Sequence, residues 1–535
     1  MLSDAGRALR AASVAVGLVW LPVIVLFGAA VHDLTYDDAY YYFGIGRNIA
    51  EGAGSTFDGL HTTNGYHPLW MLVTAGVYAV GFDELAAVRA LLVLQLAIWV
   101  AGLLLLAGVV GRAVDGWPAL RERADGPAAS VRGNALLAVV WFALGANPYV
   151  LKLYVSGMET GLAALVGIGL LVLSVRTGGD PLRRPLPAAV LAGLLFLSRT
   201  DTAFIVAALL CWSALGRRRI DRTVIGVGLS FTAVVGAYVA SNLALVGHPM
   251  QISGTIKRVD PDAAGIVTVV VLLAAAAAIL LTGRRLQQPK AATKLPRVRA
   301  WVGATAWWPA GALGLLAYEW GFTTEIYLWH YAPQVLWGLV TVPFAVADIY
   351  EGATTERPAE HPAAASRSWL VAGIASVPFV LGGLWQITAF TDRELRSLQL
   401  GDRAAGEWVA ANLPADAVVG SVDAGVFGYF AERPVVNLDG LVNSYEWYEA
   451  RQDGVAATSA FLRDSGLTHM ANHGDPVDGD EPDIRATIDR LLGDEAGQHM
   501  QLVHRADFVY NGNAGGRSGR RPYATFVWEL ADGAP

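Results

Sequence analysis

Two adjacent carboxylates near the N-terminus, Asp37 and Asp38, are the residues of this sequence best suited to general-base chemistry. They open a predicted helix that ends at Gly52, so both lie at the helix end where the dipole favours negative charge. An ionised carboxylate at that position can take a proton from a hydroxyl group, as a general base must. The alternative interpretation is an ordinary N-terminal cap with a charged neighbour.

The stretch that follows the acidic pair is dense in polar and aromatic side chains. Tyr40–Tyr42 lie next to the acids, and Asn64–Pro68 includes Tyr66 and His67. Ring faces with polar tips favour contact with a polar substrate at a membrane boundary. Tyr66 and His67 are therefore predicted to contact substrate.

Composition places most of the chain in a membrane. Hydrophobic residues make up 54% of the 535 residues and charged residues only 16%, against roughly 25% charged in an ordinary globular chain. The mean hydropathy is +0.42. These values exclude a purely cytosolic enzyme, a disordered chain and a disulfide-stapled secreted domain. The only cysteine, Cys211, lies in an apolar run, where packing is its expected role.

The sequence predicts a mainly α polytopic membrane protein with eleven transmembrane helices. The apolar runs lie at about 11–31, 89–111, 135–154, 160–175, 187–197, 203–215, 223–246, 264–282, 301–318, 331–348 and 368–390. Among the Lys and Arg residues before position 391, 21 fall in loops on one side and 6 on the other. Because basic residues collect on the cytoplasmic side, the N-terminus is predicted inside and residues 391–535 outside the cell membrane.

Residues 32–88 are predicted to form one long external loop. The apolar stretch 69–81 is too short to span a hydrocarbon core of roughly 30 Å. Two helices, at about 38–51 and 69–81, are therefore expected to lie along the membrane surface. Counting 69–81 as a span would invert the orientation of every later loop.

Two of the predicted helical hairpins, 135–154/160–175 and 187–197/203–215, have short arms. At 1.5 Å per residue, arms of this length leave the hairpin tips below the outer surface. Polar residues at that depth are tolerated when they are buried in protein or line a wet cavity. The tips thus place Glu159, Arg199 and Asp201 in a hollow that faces outward.

Together, the acidic pair on a juxtamembrane helix, the Pro-Leu-aromatic second helix and the Arg at the start of the second span resemble the glycosyltransferase C superfamily. These polytopic enzymes use polyprenyl-phosphate sugars. The stretches DDAYYY…NGYHPLW within 36–70 and SGMET at 156–160 are particularly similar to arabinofuranosyltransferase-like members. The likeness covers residues 1–350 by architecture. It implies that Asp37 is the catalytic base and that Asp38 braces it or shares a divalent cation with it.

The resemblance also suggests two substrate contacts in the later spans. Glu159, within SGMET, is expected to contact a substrate hydroxyl, although an acid that stabilises a helix start is the alternative. Related enzymes often carry an Arg-Tyr element before a Pro near the last core spans. Here Trp329–Pro333 stands in that place, so His330 takes the position of the phosphate-binding Arg. An interfacial aromatic-belt histidine is the alternative interpretation of His330.

Four outward basic residues are predicted to hold a prenyl-linked phosphate, whose tail must remain in lipid. Arg89 and Arg199 come first, because a guanidinium pairs with phosphate through two parallel hydrogen bonds. Lys257 and Arg258 come second. Snorkelling at a span end explains any one of them equally well.

Residues 391–535 are predicted to form an extracytoplasmic α/β domain, with the preceding residues 1–390 as the transmembrane domain. Short strands near 418–422, 434–438, 467–472, 500–510 and 523–530 alternate with helices near 402–412, 424–431, 445–465 and 483–493. The domain has no metal-spaced His and Cys set and no Gly-rich phosphate loop. The stretch Asn437–Leu441, which includes Asp439, and the aromatic residues Tyr445, Trp447 and Tyr448 either contact a sugar chain or pack in the core. The net charge of −11 argues against a nucleic-acid partner.

The leading functional prediction is an inverting glycosyltransferase on the outer face of the membrane. Its partners are a polyprenyl-phosphate-linked sugar donor and a glycan, lipid or protein acceptor. A transporter or flippase of lipid-linked sugars is the main alternative, although residues 1–200 and 200–390 show no internal repeat. A glycan-binding envelope-assembly protein without catalytic activity is the third. Asp37 and Asp38 can also brace a divalent metal, although neighbouring helix positions point about 100° apart.

Overall fold

The computed structural model describes residues 4–115, 127–288, 296–324, 326–355, 398–474, 489, 491, 493, 500–514 and 517–530. The chain divides into two compact units. Unit 1 contains residues 1–27, 93–236 and 258–387. Unit 2 contains residues 28–92, 237–257 and 388–535.

Sixteen α-helices precede residue 356 in the described part of the chain. They are α1 (Asp4–Leu26), α2 (Gly28–Leu34), α3 (Asp37–Glu51), α4 (Pro68–Ala79), α5 (Glu84–Asp115), α6 (Pro127–Gly145), α7 (Pro148–Tyr154), α8 (Thr160–Arg176), α9 (Pro185–Ser198), α10 (Ala203–Arg217), α11 (Arg222–Val246), α12 (Ile252–Ile256), α13 (Ala263–Leu286), α14 (Pro296–Thr305), α15 (Trp307–Phe322) and α16 (Ala332–Thr355). Short 3₁₀ turns lie at Pro181–Arg183, Thr200–Thr202 and Leu328–Tyr331.

Among the described residues, five apolar helices are long enough to cross a membrane, which makes this a membrane protein. They are α1, α5, α11, α13 and the helix over Leu328–Tyr350. The pair α6 and α7 makes a sixth if its two helices are one span bent by 55°. The bend has a local cause, because the Asn147 side chain accepts hydrogen bonds from the Tyr149 and Val150 amides and Pro148 occupies the first position of α7.

The prediction of eleven spans is not supported by the described residues. Helices α8 and α9, with 17 and 14 residues, fall short of a membrane span, and so does the 15-residue α10. The predicted span 301–318 is divided between α14 and α15. The predicted span 368–390 lies outside the described residues. Hydropathy finds apolar runs correctly here, but it does not locate the breaks that shorten them.

The segment of unit 2 that precedes α5 contains the two helices predicted for it. Helix α3 begins at Asp37 and ends at Gly52, which adopts the left-handed conformation with φ of 85° and donates its N–H to the Asn48 and Ile49 carbonyls. Helix α4 begins with Pro68 at its first turn. The existence of both helices is confirmed, and their position at the membrane surface stays a prediction.

The C-terminal part of unit 2 is the predicted α/β fold. Its elements are α17 (Leu398–Asn412), β1 (Val418–Ser421), α18 (Gly425–Phe430), β2 (Val435–Asn437), α19 (Tyr445–Asp453), α20 (Val455–Asp464), β3 (Leu467–Gly474), β4 (Met500–Ala514) and β5 (Arg517–Leu530). The predicted helix 445–465 is two helices, because Gly454 breaks it with φ of 101°. The predicted helix 483–493 lies almost wholly outside the described residues.

The five strands form one mixed sheet in the order β2-β1-β3-β5-β4. Strand β1 pairs in parallel with β2 and with β3, whereas β5 is antiparallel to both β3 and β4. The sheet packs its helices against a buried core that includes Val436, Trp447, Met470, Phe526 and Trp528. Trp447 is fully buried, so core packing explains it better than sugar contact.

The sheet and the early loop share one folding unit. Unit 2 joins residues 388–535 with two earlier stretches, so its boundary differs from the linear division between residues 390 and 391. Helix α18 lies between them: the Tyr429 hydroxyl is 2.8 Å from that of Tyr78, and its carbonyl accepts from Arg47. The early loop is therefore bonded to α18, a helix of the C-terminal α/β fold.

Candidate functional site

The candidate site lies at the carboxyl ends of the parallel strands in unit 2. The chain crosses from β1 to β2 on one side and then returns to β3 on the other, which creates a topological switch point beside β1. Open α/β sheets bind their ligands in the crevice at this point. Three polar residues follow or end the parallel strands at this edge. They are Asp423 after β1, Asp439 after β2 and His473 near the end of β3.

Asp37 from the early loop is bonded into this edge. Its two carboxylate oxygens accept hydrogen bonds from the backbone N–H groups of Gly425, at 3.0 Å, and Val426, at 2.7 Å. These are the first amides of α18, which immediately follows β1. A Cβ atom at position 425 would lie only 2.5 Å from the Asp37 Oδ2 atom, so glycine is needed there for this approach. The carboxylate is thus held in a fixed orientation.

Several acids act together on the pKa of Asp37. Withdrawal of the carboxyl from water raises it most, and the charge of Asp423 raises it further. The hydrogen bond from Val426 opposes this shift, while the charges of Asp402 and Asp38 add to it. The net result is a pKa well above the ordinary range for an aspartate. A carboxylate with a raised pKa is a stronger proton acceptor near neutral pH.

His473 is held between two carboxylates at the same edge. Its Nδ1 atom lies 3.3 Å from Asp402, and its Nε2 atom lies 3.0 Å from Asp423. Burial alone would lower the pKa of His473, but both carboxylates oppose this and raise it well above its usual value. Burial likewise raises the pKa of Asp423, and the hydrogen bond and charge of His473 bring it below the ordinary range. The imidazolium therefore keeps Asp423 ionised.

Asp439 completes the group of acids. It accepts hydrogen bonds from the Leu441 amide at 2.8 Å and from the Tyr41 hydroxyl at 3.2 Å. Burial is the largest cause that raises the pKa of Asp439 to about 7, and the charges of Asp423 and Asp38 contribute. The edge thus holds one carboxylate whose pKa is depressed beside two whose pKa values are raised. Carboxyl groups whose environments separate their pKa values in this way are suited to acid and base roles.

Asp38 and the loop residues Tyr66 and His67 differ in their contacts. Asp38 is half-buried, and its charge raises the pKa of both Asp37 and Asp439. The Tyr66 hydroxyl is 2.8 Å from the Ser55 hydroxyl, and the His67 amide donates to the Tyr42 hydroxyl at 3.0 Å. Tyr66 and His67 therefore have hydrogen bonds within the loop.

Arg89, at the start of α5, belongs to unit 2. Its Nε atom is buried and has no hydrogen-bond partner among the described residues. Lys257 follows the short helix α12. Arg258 belongs to unit 1, where it is exposed and forms a β-bridge with Thr323.

Unit 1 holds a second group of ionisable residues at the hairpin tips. The Arg199 guanidinium donates to Glu159 at 2.8 Å and to both carboxylate oxygens of Asp201, at 3.0 and 2.9 Å. Glu159 and Arg199 are buried, so this is an ion pair inside the fold. Arg199 also lines a small apolar pocket with Tyr154 and Trp308. With its donors taken by carboxylates, Arg199 is better suited to hold Glu159 and Asp201 than to bind phosphate.

His330 lies in the same unit and faces an acid. Its Nδ1 atom accepts a hydrogen bond from the Tyr327 amide at 3.0 Å, so a neutral His330 carries its proton on Nε2. That atom is 3.8 Å from a carboxylate oxygen of Glu319. The imidazole N–H predicted for phosphate is therefore directed towards a carboxylate.

Sequence reasoning missed Asp402, Asp423 and His473 as candidate site residues, and it named Asp439 only within a stretch that could contact a sugar chain. The signal for Asp423 and His473 was present, because an acid follows one short predicted strand and a histidine ends another, where functional groups of parallel sheets collect. For a divalent metal, no group of three or more His, Cys, Asp or Glu side chains with suitable geometry occurs within the described ranges.

A comparison with known protein families matches the C-terminal stretch of the chain to a family model. The family model described as "Domain of unknown function (DUF8728)" matches residues 388–525, which lie within unit 2. No curated protein matches the chain significantly.

Proposed function

We propose that this membrane protein is an inverting glycosyltransferase that moves a sugar from a polyprenyl-phosphate donor to a hydroxyl group of a cell-envelope acceptor. The observation that carries the proposal is the Asp37 carboxylate, which two amides orient at the carboxyl end of β1. Burial and, after it, the charges of neighbouring acids raise its pKa. A general base needs both a fixed position and a pKa shifted towards neutrality. The resemblance of the DDAYYY and SGMET stretches to the glycosyltransferase C superfamily supplies the donor class.

The chemistry assigned to the site is a single displacement. Asp37 accepts the proton of the acceptor hydroxyl as its oxygen attacks the anomeric carbon of the donor. The bond between that carbon and the phosphate oxygen breaks, and the phosphate leaves with the bonding electrons. Attack opposite the leaving group inverts the anomeric centre. Arg89, which has no counter-ion among the described residues, is the best-placed of the predicted basic residues to stabilise the phosphate.

The sidedness of the reaction rests on charge. The 21 basic residues on one side and 6 on the other favour a cytoplasmic N-terminus and an extracytoplasmic unit 2. Donor and acceptor would then meet on the outer face of the cell membrane.

Glycan binding without catalysis is a second candidate function, and the bonds that orient Asp37 are the reason to test it. Both of its oxygens accept amides of α18, which is also the arrangement expected of a purely structural clamp between the loop and the sheet. In that case the protein would bind a glycan without catalysing transfer, and the acidic group would serve the fold alone.

Incubation of the purified protein in nanodiscs with a panel of polyprenyl-phosphate sugars and candidate acceptors tests the proposal. We expect one donor to release its lipid phosphate in step with product formation, and the product to have the opposite anomeric configuration. Asp83→Asn serves as the matched control, because Asp83 is exposed on the same loop. Retention of configuration, or transfer that survives in a folded Asp37→Asn protein, would contradict the mechanism. Glycan binding without transfer across the panel would favour the second candidate.

A further inference from the structure

Three basic side chains converge in unit 2 away from the acidic edge. His32 lies on α2, Arg89 on α5 and Arg403 on α17. The Arg403 Nη1 atom donates to His32 Nε2 at 3.1 Å. Burial lowers the pKa of His32 to about 4, and the charges of Arg403 and Arg89 both contribute to the shift. The Arg403 guanidinium thus contacts the buried imidazole. The Arg89 guanidinium lies beside the same helix, because a Cβ atom at Gly28, one turn before His32, would be 3.9 Å from its Nη2 atom.

The bonding of His32 fixes its protonation. A guanidinium only donates hydrogen bonds, so Nε2 of His32 must be the acceptor and the ring proton sits on Nδ1. That N–H faces the Tyr40 hydroxyl at 3.2 Å. The imidazole is therefore neutral and adds no third positive charge. Its effect is to hold the Arg403 guanidinium in place.

Only part of the positive charge is compensated within the described residues. Arg403 pairs through Nε with Glu407 at 2.7 Å, and its guanidinium lies over the Phe430 ring at 4.8 Å. Arg89 has no ion-pair partner there, and its Nε atom is buried without a hydrogen bond. A buried donor left unsatisfied is costly, and an anion supplied by a ligand would remove this cost.

We propose that Arg89 and Arg403 jointly bind one phosphate ester, with neutral His32 positioning Arg403. Arginine forks match the oxygens of phosphate and can share one group between two side chains. This inference rests on the proposed function for the identity of the ligand as a prenyl phosphate. It adds that α17 of the C-terminal part contributes directly to the phosphate site. Helix α17, which contains Arg403, would then have to be in place before the protein can bind the donor.

Binding of farnesyl phosphate to the full-length protein in detergent, measured by calorimetry, tests this site. Inorganic phosphate and farnesol form the other two arms, which separate a lipid phosphate from a free phosphate and from the tail alone. We expect Arg89→Ala and Arg403→Gln each to weaken farnesyl phosphate binding by roughly tenfold to a hundredfold, the usual contribution of a charge-assisted hydrogen bond. The double variant should lose less than the product of the two single losses, because both side chains contact one group.

Controls keep the result specific. Arg403→Gln retains an N–H donor for His32, so its loss of affinity reports the missing charge and not a collapsed contact. Arg451→Ala removes an exposed arginine elsewhere in unit 2 and should bind like the wild type. A thermal melt of each variant checks that it is folded.

The outcomes separate this inference from the proposed function. Unchanged binding in Arg403→Gln, with loss in Arg89→Ala, would overturn the joint site and leave the glycosyltransferase proposal standing. Unchanged binding in both variants would overturn the site entirely. Equal affinity for inorganic phosphate would support the anion site and overturn its assignment to a lipid. Arginine-dependent binding of farnesyl phosphate without sugar transfer would support the site while contradicting the proposed function.

Discussion

The Asp37 carboxylate and the Gly425 amide, which lie 388 positions apart in the chain, are joined by a hydrogen bond of 3.0 Å. A second bond runs from the Val426 amide to the other oxygen of the same carboxylate. Both oxygens accept a hydrogen bond. A carboxyl group has two oxygens for this purpose, whereas an amide side chain has only one. This pair of bonds makes Asp37 a test of stability as well as of catalysis.

Asp37→Asn should cost stability as well as activity. An asparagine side chain has one acceptor oxygen, so one of the two amides would face an NH₂ group and lose its bond. At a pH below the raised pKa of Asp37, where the cost of burying its charge does not contribute, we expect a loss of about 1–3 kcal/mol in the free energy of unfolding. The transfer rate should fall roughly 10²–10⁴-fold. Chemical denaturation and a transfer assay on the same preparation measure both. A variant as stable as the wild type would mean that the two bonds do not form in solution.

Gly425→Ala separates the position of Asp37 from its charge. The added Cβ would lie 2.3 Å from the Asp37 carbonyl oxygen and 2.5 Å from its Oδ2 atom, so both the backbone and the carboxylate of Asp37 must move although no charge changes. We expect transfer to fall and the melting temperature to drop. Gly76→Ala is the matched control, because a Cβ there meets nothing within 4 Å. Full activity in a folded Gly425→Ala protein would show that the orientation of Asp37 is unimportant.

Asp439 should make the stability of the protein depend on pH. Its pKa is about 7 in the folded protein against 3.8 in an unstructured chain. Between these values the unfolded chain releases a proton that the folded protein retains, so stability falls as pH rises from about 4 to about 7. Asp439→Asn should remove this fall and be more stable than the wild type at pH 8. Melting curves from pH 4 to pH 8 measure it, and parallel slopes for the two proteins would refute the shift.

Arg199→Ala should destabilise unit 1 and leave donor binding unchanged. Removing the guanidinium takes the Arg199 hydrogen bond from buried Glu159 and two hydrogen bonds from Asp201. Breaking a buried ion pair from one side typically costs about 3–5 kcal/mol. Unfolding measured in detergent should show this loss, and the double variant Arg199→Met with Glu159→Gln should recover part of it. Weaker phosphate binding with unchanged stability would restore Arg199 as a phosphate ligand.

Orientation can be tested directly with accessibility tags. A tag after residue 535 should be reached by a protease added to intact cells, whereas a tag inserted within 284–299 should not. The uneven distribution of basic residues motivates this expectation. Protection of the C-terminal tag would place unit 2 in the cytoplasm and move the proposed reaction to the other face of the membrane.

The fold was predictable where local pattern decides it. Helix α3 could be placed because two acids precede a run of helix-compatible residues that ends at a glycine, and β1 and β3 because short apolar runs alternate with helices. The predicted number of spans is not supported by the described residues, because a hydropathy window does not register the break at Asn147 and Pro148 or the one after Thr305. Local sequence patterns predict that a helix or strand is present. They do not predict its length where one or two residues interrupt it.

The candidate site was predictable only in part. Asp37 stood out because an adjacent acid and a cluster of aromatic residues accompany it. Asp423 and His473 did not, because a single acid after a strand is common and only the pairing of β1 with β3 brings the two together. Arg199 was expected to be available, but a charge count along the chain does not reveal that Glu159 folds back onto it. Contacts between distant residues carry the chemistry here.

Unit 2 is assembled from residues 28–92, 237–257 and 388–535, which leave the ribosome at different times. At about 5–20 residues per second, the first stretch is complete roughly 15–60 s before residue 388 is made. During that interval the amides that will receive the Asp37 carboxylate do not yet exist, and the loop must wait in an incomplete state. Synthesis that stops early would therefore yield a membrane-inserted chain without an assembled site, so that activity can begin only once translation is nearly finished.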